Sequence, residues 1–302
     1  MLIDGRRVWI DSHVHIRGYS SDRGPRDFPI QALTAAMDRD PDHLVWVISH
    51  SFPETRAIQE DPATGLRWCN EGQWQIVQEA PPGRIFGSLA IHPDAVKQSR
   101  EEIDLFGGER GFVQVGEILG YSMGFPLDSP AMVEIARHAA ELGLPLQCHV
   151  STTGQPEGEQ FREAVSLARQ VPEAKIIAAH ALGGGNSWLH ITAAEVYFAM
   201  GGDNLWLEIR DFNTRQYLRA AVERLGAHRL IAGTDWIARD DPPFPPYGII
   251  FPHTDVNEMP YPSCVASLVG FLRESGCTED DIHRIASDNS IELFGLEREL
   301  QA

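Results

Sequence analysis

Apolar stretches punctuate the chain every few dozen residues: "RRVWID", "HLVWVISH", "RIFGSLAIHP", "GFVQVGEI", "PLQCHV", "KIIAAH", "NLWLEI" and "RLIAGTD". Val, Ile and Leu dominate them, as expected of strands covered on both faces. Segments of helical period lie between. In "SPAMVEIARHAAELGLP", Met132, Ile135, Ala136, Ala139 and Ala140 recur at three- and four-residue steps, Gly143 supplies the stop and Pro145 opens the next strand. "IQALTAAMDRD", "GEQFREAVSLARQ" and "TRQYLRAAVERLG" follow the same pattern. Strands alternating with helices predict a parallel sheet, open or closed. No GxGxxG follows an early strand, so an open dinucleotide-binding sheet finds no support. The pattern predicts an α/β fold, a (β/α)8 TIM barrel in one domain over residues 1–302, with its active site at the C-terminal ends of the strands.

Composition narrows the partners. The chain has 302 residues, 43% of them hydrophobic, enough for a large core. Its formal net charge of −18 disfavours phosphate backbones and anionic membranes alike, leaving a small-molecule substrate as the expected partner. "MLIDGRRVWIDSH" carries no apolar signal core, and no run approaches the roughly 18 apolar residues that span a bilayer. A cytoplasmic protein is expected. Cys69, Cys148, Cys264 and Cys277 form no CxxC pair, which predicts reduced thiols rather than a disulfide framework or a cysteine zinc site.

Polar residues then recur where the apolar runs stop. Strand one ends in His13 and His15, strand four in Glu117, strand five in His149, strand six in His180 and strand eight in Asp235. Alternation along a strand predicts that Asp11, His13 and His15 share one face. Each of these residues taken singly reads as an ordinary hydrogen-bonded strand end. In a barrel, however, all six site residues converge on one axial spot, at high desolvation cost unless a cation joins them. Neutral imidazole and carboxylate suit zinc and similar divalent ions, so His13 and His15 are predicted metal ligands.

These residues resemble the amidohydrolase superfamily, most of all its amidohydrolase-2 branch of metal-dependent hydrolases, which also contains decarboxylases. The likeness runs nearly end to end. "GEILGYSMGFPLDSPAMVEIARHAAELGLPLQCHVS" looks like that branch's middle section, and "IHRIASDNSIELFGL", with Asn289, looks like its closing helix. "GEI" and "AIHPD" are also similar to TatD-like hydrolases, which place a glutamate on strand four. Some relatives use a carboxylated lysine to bridge two metals. Neither Lys97 nor Lys175 lies at that strand end, so this chain has no such bridge.

The resemblance implies a divalent metal, zinc foremost, as one ion or two. One ion would be held by His13, His15, His149 and Asp235. With two, Glu117 would bridge them, His13, His15 and Asp235 holding one and His149 and His180 the other. The alternative role for Glu117 is an acceptor that orients a ligand histidine. Asp235 is the expected general base, and His180 a second ligand or a group that polarises the scissile carbonyl. Arg17, His50, His92, Arg210 and Trp236 are expected near substrate. The loop 237–262, with Phe244, Tyr247, Phe251 and Tyr261, would close over substrate or join subunits in a homo-oligomer. The activity expected is hydrolysis of an ester, lactone or amide by a metal-activated water. The alternative is non-oxidative decarboxylation of an aromatic or unsaturated acid, against which Glu117 counts because strand four gives no ligand in that group.

Overall fold

The computed structural model describes residues 2–3, 5–16, 30–38, 43–51, 58, 60–108, 110–150, 159–182, 187–209, 215–237 and 263–300. Its strands follow one another in chain order around a barrel: β1 (Arg6–His15), β2 (His43–Ser49), β3 (Ile85–Leu89), β4 (Phe112–Ile118), β5 (Leu146–His149), β6 (Ile176–Ala179), β7 (Leu205–Ile209) and β8 (Leu230–Ala232). Each pairs in parallel with the next. Trp236 and Ile237, just beyond β8, pair in parallel with Val14 and His15 and bring the sheet back onto β1. Side chains reinforce that seam. Asp11 accepts from the Thr234 amide at 2.8 Å and its hydroxyl at 2.7 Å, and Ser12 Oγ donates to the Ala232 carbonyl at 2.9 Å. The alternation read from the sequence is therefore a (β/α)8 barrel.

A helix follows each strand: α1 (Ile30–Met37), α2 (Pro62–Glu79), α3 (Val96–Phe106), α4 (Pro130–Glu141), α5 (Glu159–Gln170), α6 (Ser187–Ala199), α7 (Arg215–Leu225) and α8 (Ser263–Glu274). In α4, Ser129 accepts from the Met132 amide and Pro130 sits in the first turn, where its missing N–H costs nothing. Met132, Ile135, Ala136 and Ala139 are buried as the periodicity predicts, and Gly143 takes the left-handed φ of 74° that ends such a helix. Helix α2 was hidden from an apolar pattern because its buried face includes Asn70 and Gln73. Asn70 pairs with the Ala90 amide and carbonyl, and Gln73 Oε1 accepts from Ser49 Oγ at 2.8 Å. Cys148 and Cys277 are free thiols. Among the described residues no helix is long and apolar enough to cross a membrane.

Two clusters make up most of the core among the described residues. The larger lies between strands and helices and includes Trp9, Val14 and Ile16. A smaller one joins Val8, Ile10, Trp46, Phe86, Ile177 and Ile231 to Ile291, Leu293 and Phe294 of the closing segment. Asn289 locks that segment in place by donating to the Ala227 and Leu230 carbonyls at 2.8 and 2.6 Å.

These clusters expose a correction to the expected strand-one face. Trp9 and Val14 both face the helices although five residues apart, so the alternation slips between them. The register shows where. Asp11 pairs with Val47 but Val14 with Ser49, three steps on β1 against two on β2. That extra residue is a bulge, which re-aims the side chains beyond it. Asp11 is thereby separated from His13 and His15 and spent on the Thr234 bonds. A similar slip on β4 sets Val115 and Ile118 against Leu146 and Cys148 of β5, and Glu117 lies within it.

Gly116 makes the second slip feasible. Its φ is 130°, and a Cβ there would lie 2.5 Å from the Gln147 carbonyl oxygen, which is backbone and cannot swing away. Gly116→Ala is expected to destabilise the protein by about 2–4 kcal/mol, from the disfavoured φ together with overpacking. Urea unfolding measures this, and an unchanged midpoint would contradict it.

Candidate metal centre

The strand ends bring His13, His15, Glu117, His149, His180 and Asp235 into one buried cluster. Two backbone turns aim its members. His180 and Asp235 adopt left-handed φ of 57° and 50°, just beyond the ends of β6 and β8. Such conformations cost roughly 1–3 kcal/mol each outside glycine and persist where surrounding structure enforces them.

Glu117 divides the cluster in two. Its Oε2 lies 3.4 Å from His13 Nε2 and 3.6 Å from His15 Nε2. Its Oε1 lies 2.6 Å from His149 Nδ1 and 2.9 Å from His180 Nε2. Asp235 spans the same divide: Oδ1 is 3.2 Å from His15 Nε2 and 3.5 Å from His13 Nε2, and Oδ2 is 3.8 Å from His180 Nε2. Within His13–His15–Asp235, and separately within Glu117–His149–His180, the ligand atoms lie within 4.8 Å of one another.

Charge is finely set here. Burial pushes the His13 imidazole down, but Glu208, Asp235 and Glu117 together hold it well above its ordinary value. The same opposition raises His180, through Asp235 and Glu117. For His149 burial wins over Glu117 and the ring is lowered. Burial would raise Glu117, yet His149 and His13 hold it well below the usual carboxylate range. Carboxylates this deeply buried demand compensating positive charge, and mixed imidazole and carboxylate donors are what divalent zinc or manganese accept. The residues fit a metal.

The other expected residues fare differently. His50 is wholly buried beside His13 and His15, at ring distances of 4.7 and 5.7 Å. Burial, then the charges of His13 and His15, push it down to about 3, so it is neutral; it lies 3.1 Å from the Ser12 carbonyl. His92 caps the turn Pro93–Ala95, accepting from the Asp94 amide at 3.1 Å, while its ring meets Phe125 edge-on. Trp236 is fully buried in the main core. Arg17, Arg210, and all of the loop 237–262 beyond Ile237 lie outside the described residues.

One residue at the centre escaped the sequence reading. Glu208 of β7 is wholly buried with Oε1 3.0 Å from His13 Nδ1. Burial raises its carboxyl, but His13 and His180 overcome this and push it down to about 2. Gln147 and Gln114, also buried, form a chain to it. The available signal was a glutamate inside the otherwise apolar "NLWLEI", since a charged residue in a covered strand must have a partner.

The family model described as Amidohydrolase matches residues 10–296. No curated protein matches the sequence significantly. Among solved structures, 2,6-dihydroxybenzoate decarboxylase from Rhizobium is similar at 18% identity and a TM-score of 0.63, covering 97% of this chain and 99% of that one. A protein assigned as a 2-pyrone-4,6-dicarboxylic acid hydrolase, from Pseudomonas putida, also has 18% identity, with a TM-score of 0.59 over 96% of this chain and 98% of that one. A dihydroxybenzoic acid decarboxylase from Polaromonas sp. JS666, solved with bound manganese, has 16% identity and a TM-score of 0.61 over 97% and 98%. At these identities the likeness speaks for the barrel.

Proposed function

The chain belongs to the amidohydrolase family, and on that premise we propose that it hydrolyses an ester, lactone or amide of a small molecule at a two-ion centre. It is a metal-dependent enzyme. The observation that carries the two-ion reading is the split of Glu117, one oxygen toward His13 and His15 and the other toward His149 and His180. His13, His15 and Asp235 would hold one ion, His149 and His180 the other, with Glu117 shared. When bound, such ions supply Lewis acidity that makes water a nucleophile at neutral pH and polarises a carbonyl. Zinc is the ion the donors suit best.

Asp235 does the proton work. Its carboxylate stands between the two halves, where it takes a proton from the attacking water and delivers it to the leaving group. His180 faces Glu117 through Nε2 and would help to hold the second ion. The guanidinium groups of Arg17 and Arg210 would suit a carboxylate on the substrate. The surplus of acidic residues supports a small substrate rather than a nucleic acid, and the exposed Trp188, Leu189, Val196 and Met200 support self-association.

Decarboxylation stays as the second reading, favoured by the fold shared with the two decarboxylases. The test loads the purified protein with zinc or manganese and offers lactones, esters and aromatic acids. Acid release that stops on chelation is expected. Carbon dioxide release from an aromatic acid, without hydrolysis of any ester or lactone, would replace the first reading by the second.

A further inference from the structure

We propose that Glu208 is the shared positioning residue of the centre, a single carboxylate that orients His13 for one ion and His180 for the other. This rests on the two-ion reading above. Glu208 Oε1 lies 3.0 Å from His13 Nδ1 and 3.5 Å from His180 Nδ1. These are the ring nitrogens turned away from the ligand cluster. The opposite nitrogens, His13 Nε2 and His180 Nε2, are the ones that face Glu117 and Asp235. The two rings are stacked, with centroids 5.0 Å apart and planes 18° from parallel, so one oxygen can serve both. His180 Nδ1 is buried, with no hydrogen bond among the described residues and this oxygen beside it.

The polarity of the surrounding hydrogen bonds follows from the chemistry of a carboxylate. Glu208 offers lone pairs only, so Gln147 presents its amide nitrogen to Oε2 and its carbonyl oxygen to the Gln114 amide. The chain thus runs from Gln114 through Gln147 and ends on Glu208. With Glu208 Oε1 facing the Nδ1 of both rings, the proton of each imidazole belongs on Nδ1. That places the lone pair of each ring on Nε2, toward the centre, and a carboxylate behind the ring makes it a stronger ligand.

The fold reserves space for this group. A Cβ on Gly233 would lie 2.7 Å from Glu208 Cδ, 2.8 Å from its Oε2 and 2.8 Å from His13 Cβ. A carboxylate placed only to satisfy one buried histidine would need neither the second ring nor the directed amide chain. Because His13 belongs to one triad and His180 to the other, loss of Glu208 weakens both ion positions together.

The experiment titrates the metal-free protein with Co2+ in competition with a chromophoric chelator and records the visible d–d spectrum. Wild type, Glu208→Gln and His149→Ala are compared, with thermal melting of each metal-free form as the control for folding. Wild type is expected to bind in two phases. Glu208→Gln should weaken both phases by about 10- to 100-fold and alter the spectrum, whereas His149→Ala should remove one phase and spare the other. Gln147→Met, which keeps Glu208 but deletes its donor, should weaken both phases less, and it decides the matter if Glu208→Gln does not fold. Wild-type affinity and spectrum in Glu208→Gln, or weakening of one phase only, would overturn the shared role. A wild type that takes up no cobalt would overturn the metal reading itself, and this role with it.

Discussion

Asp235→Asn is expected to fold normally while turnover falls by at least about 10²-fold, the scale of a lost general base. Folding should survive because asparagine matches the shape of aspartate and tolerates the left-handed region, where residue 235 sits at a φ of 50°. Chemistry should not. The amide keeps one acceptor oxygen but loses the charge that faces His15 Nε2 at 3.2 Å and His13 Nε2 at 3.5 Å, and it has no basic oxygen to accept a proton. Steady-state kinetics, the melting temperature and metal content should be measured together. Turnover close to wild type in a fully loaded variant would remove Asp235 from the mechanism.

Glu117→Gln is expected to lower the metal count from about two ions per chain toward one and to abolish most activity, with excess metal restoring part of it. The reason is the position of its oxygens, 2.6 Å from His149 Nδ1 on one side and 3.4 Å from His13 Nε2 on the other. A glutamine presents one oxygen and one NH2, so it can face a cation on a single side. The side left without a carboxylate oxygen keeps imidazoles as its main donors, which hold a divalent ion less firmly. Metal analysis after dialysis reads this directly. A wild-type count of one, unaltered by the substitution, would reduce Glu117 to an acceptor that orients a ligand histidine.

Much of this centre is legible in the amino-acid sequence. The apolar runs located all eight barrel strands because strands buried on both faces must be continuously hydrophobic. Polar residues at their ends were conspicuous for the same reason, and a parallel barrel gathers such ends by topology alone. Helix α2 is hard to read from an apolar pattern, because Asn70 and Gln73 occupy its buried face and bond to residues distant in sequence, Ala90 and Ser49.

What the chain order and residue types determined was the barrel and the set of strand-end side chains that converge in it. The tertiary structure alone decided which of them meet. Alternation predicts a shared face only along an unbroken run, and the bulge in β1 turns Asp11 toward Thr234 while His13 and His15 turn toward Glu117. Likewise only the fold buries His50 as a neutral ring beside His13 and His15, and Trp236 within the core. Glu208 is 195 positions from His13. No local pattern links two residues at that separation, because their pairing depends on the register of β7 and β8 against β1 and on the side chain that Gly233 lacks.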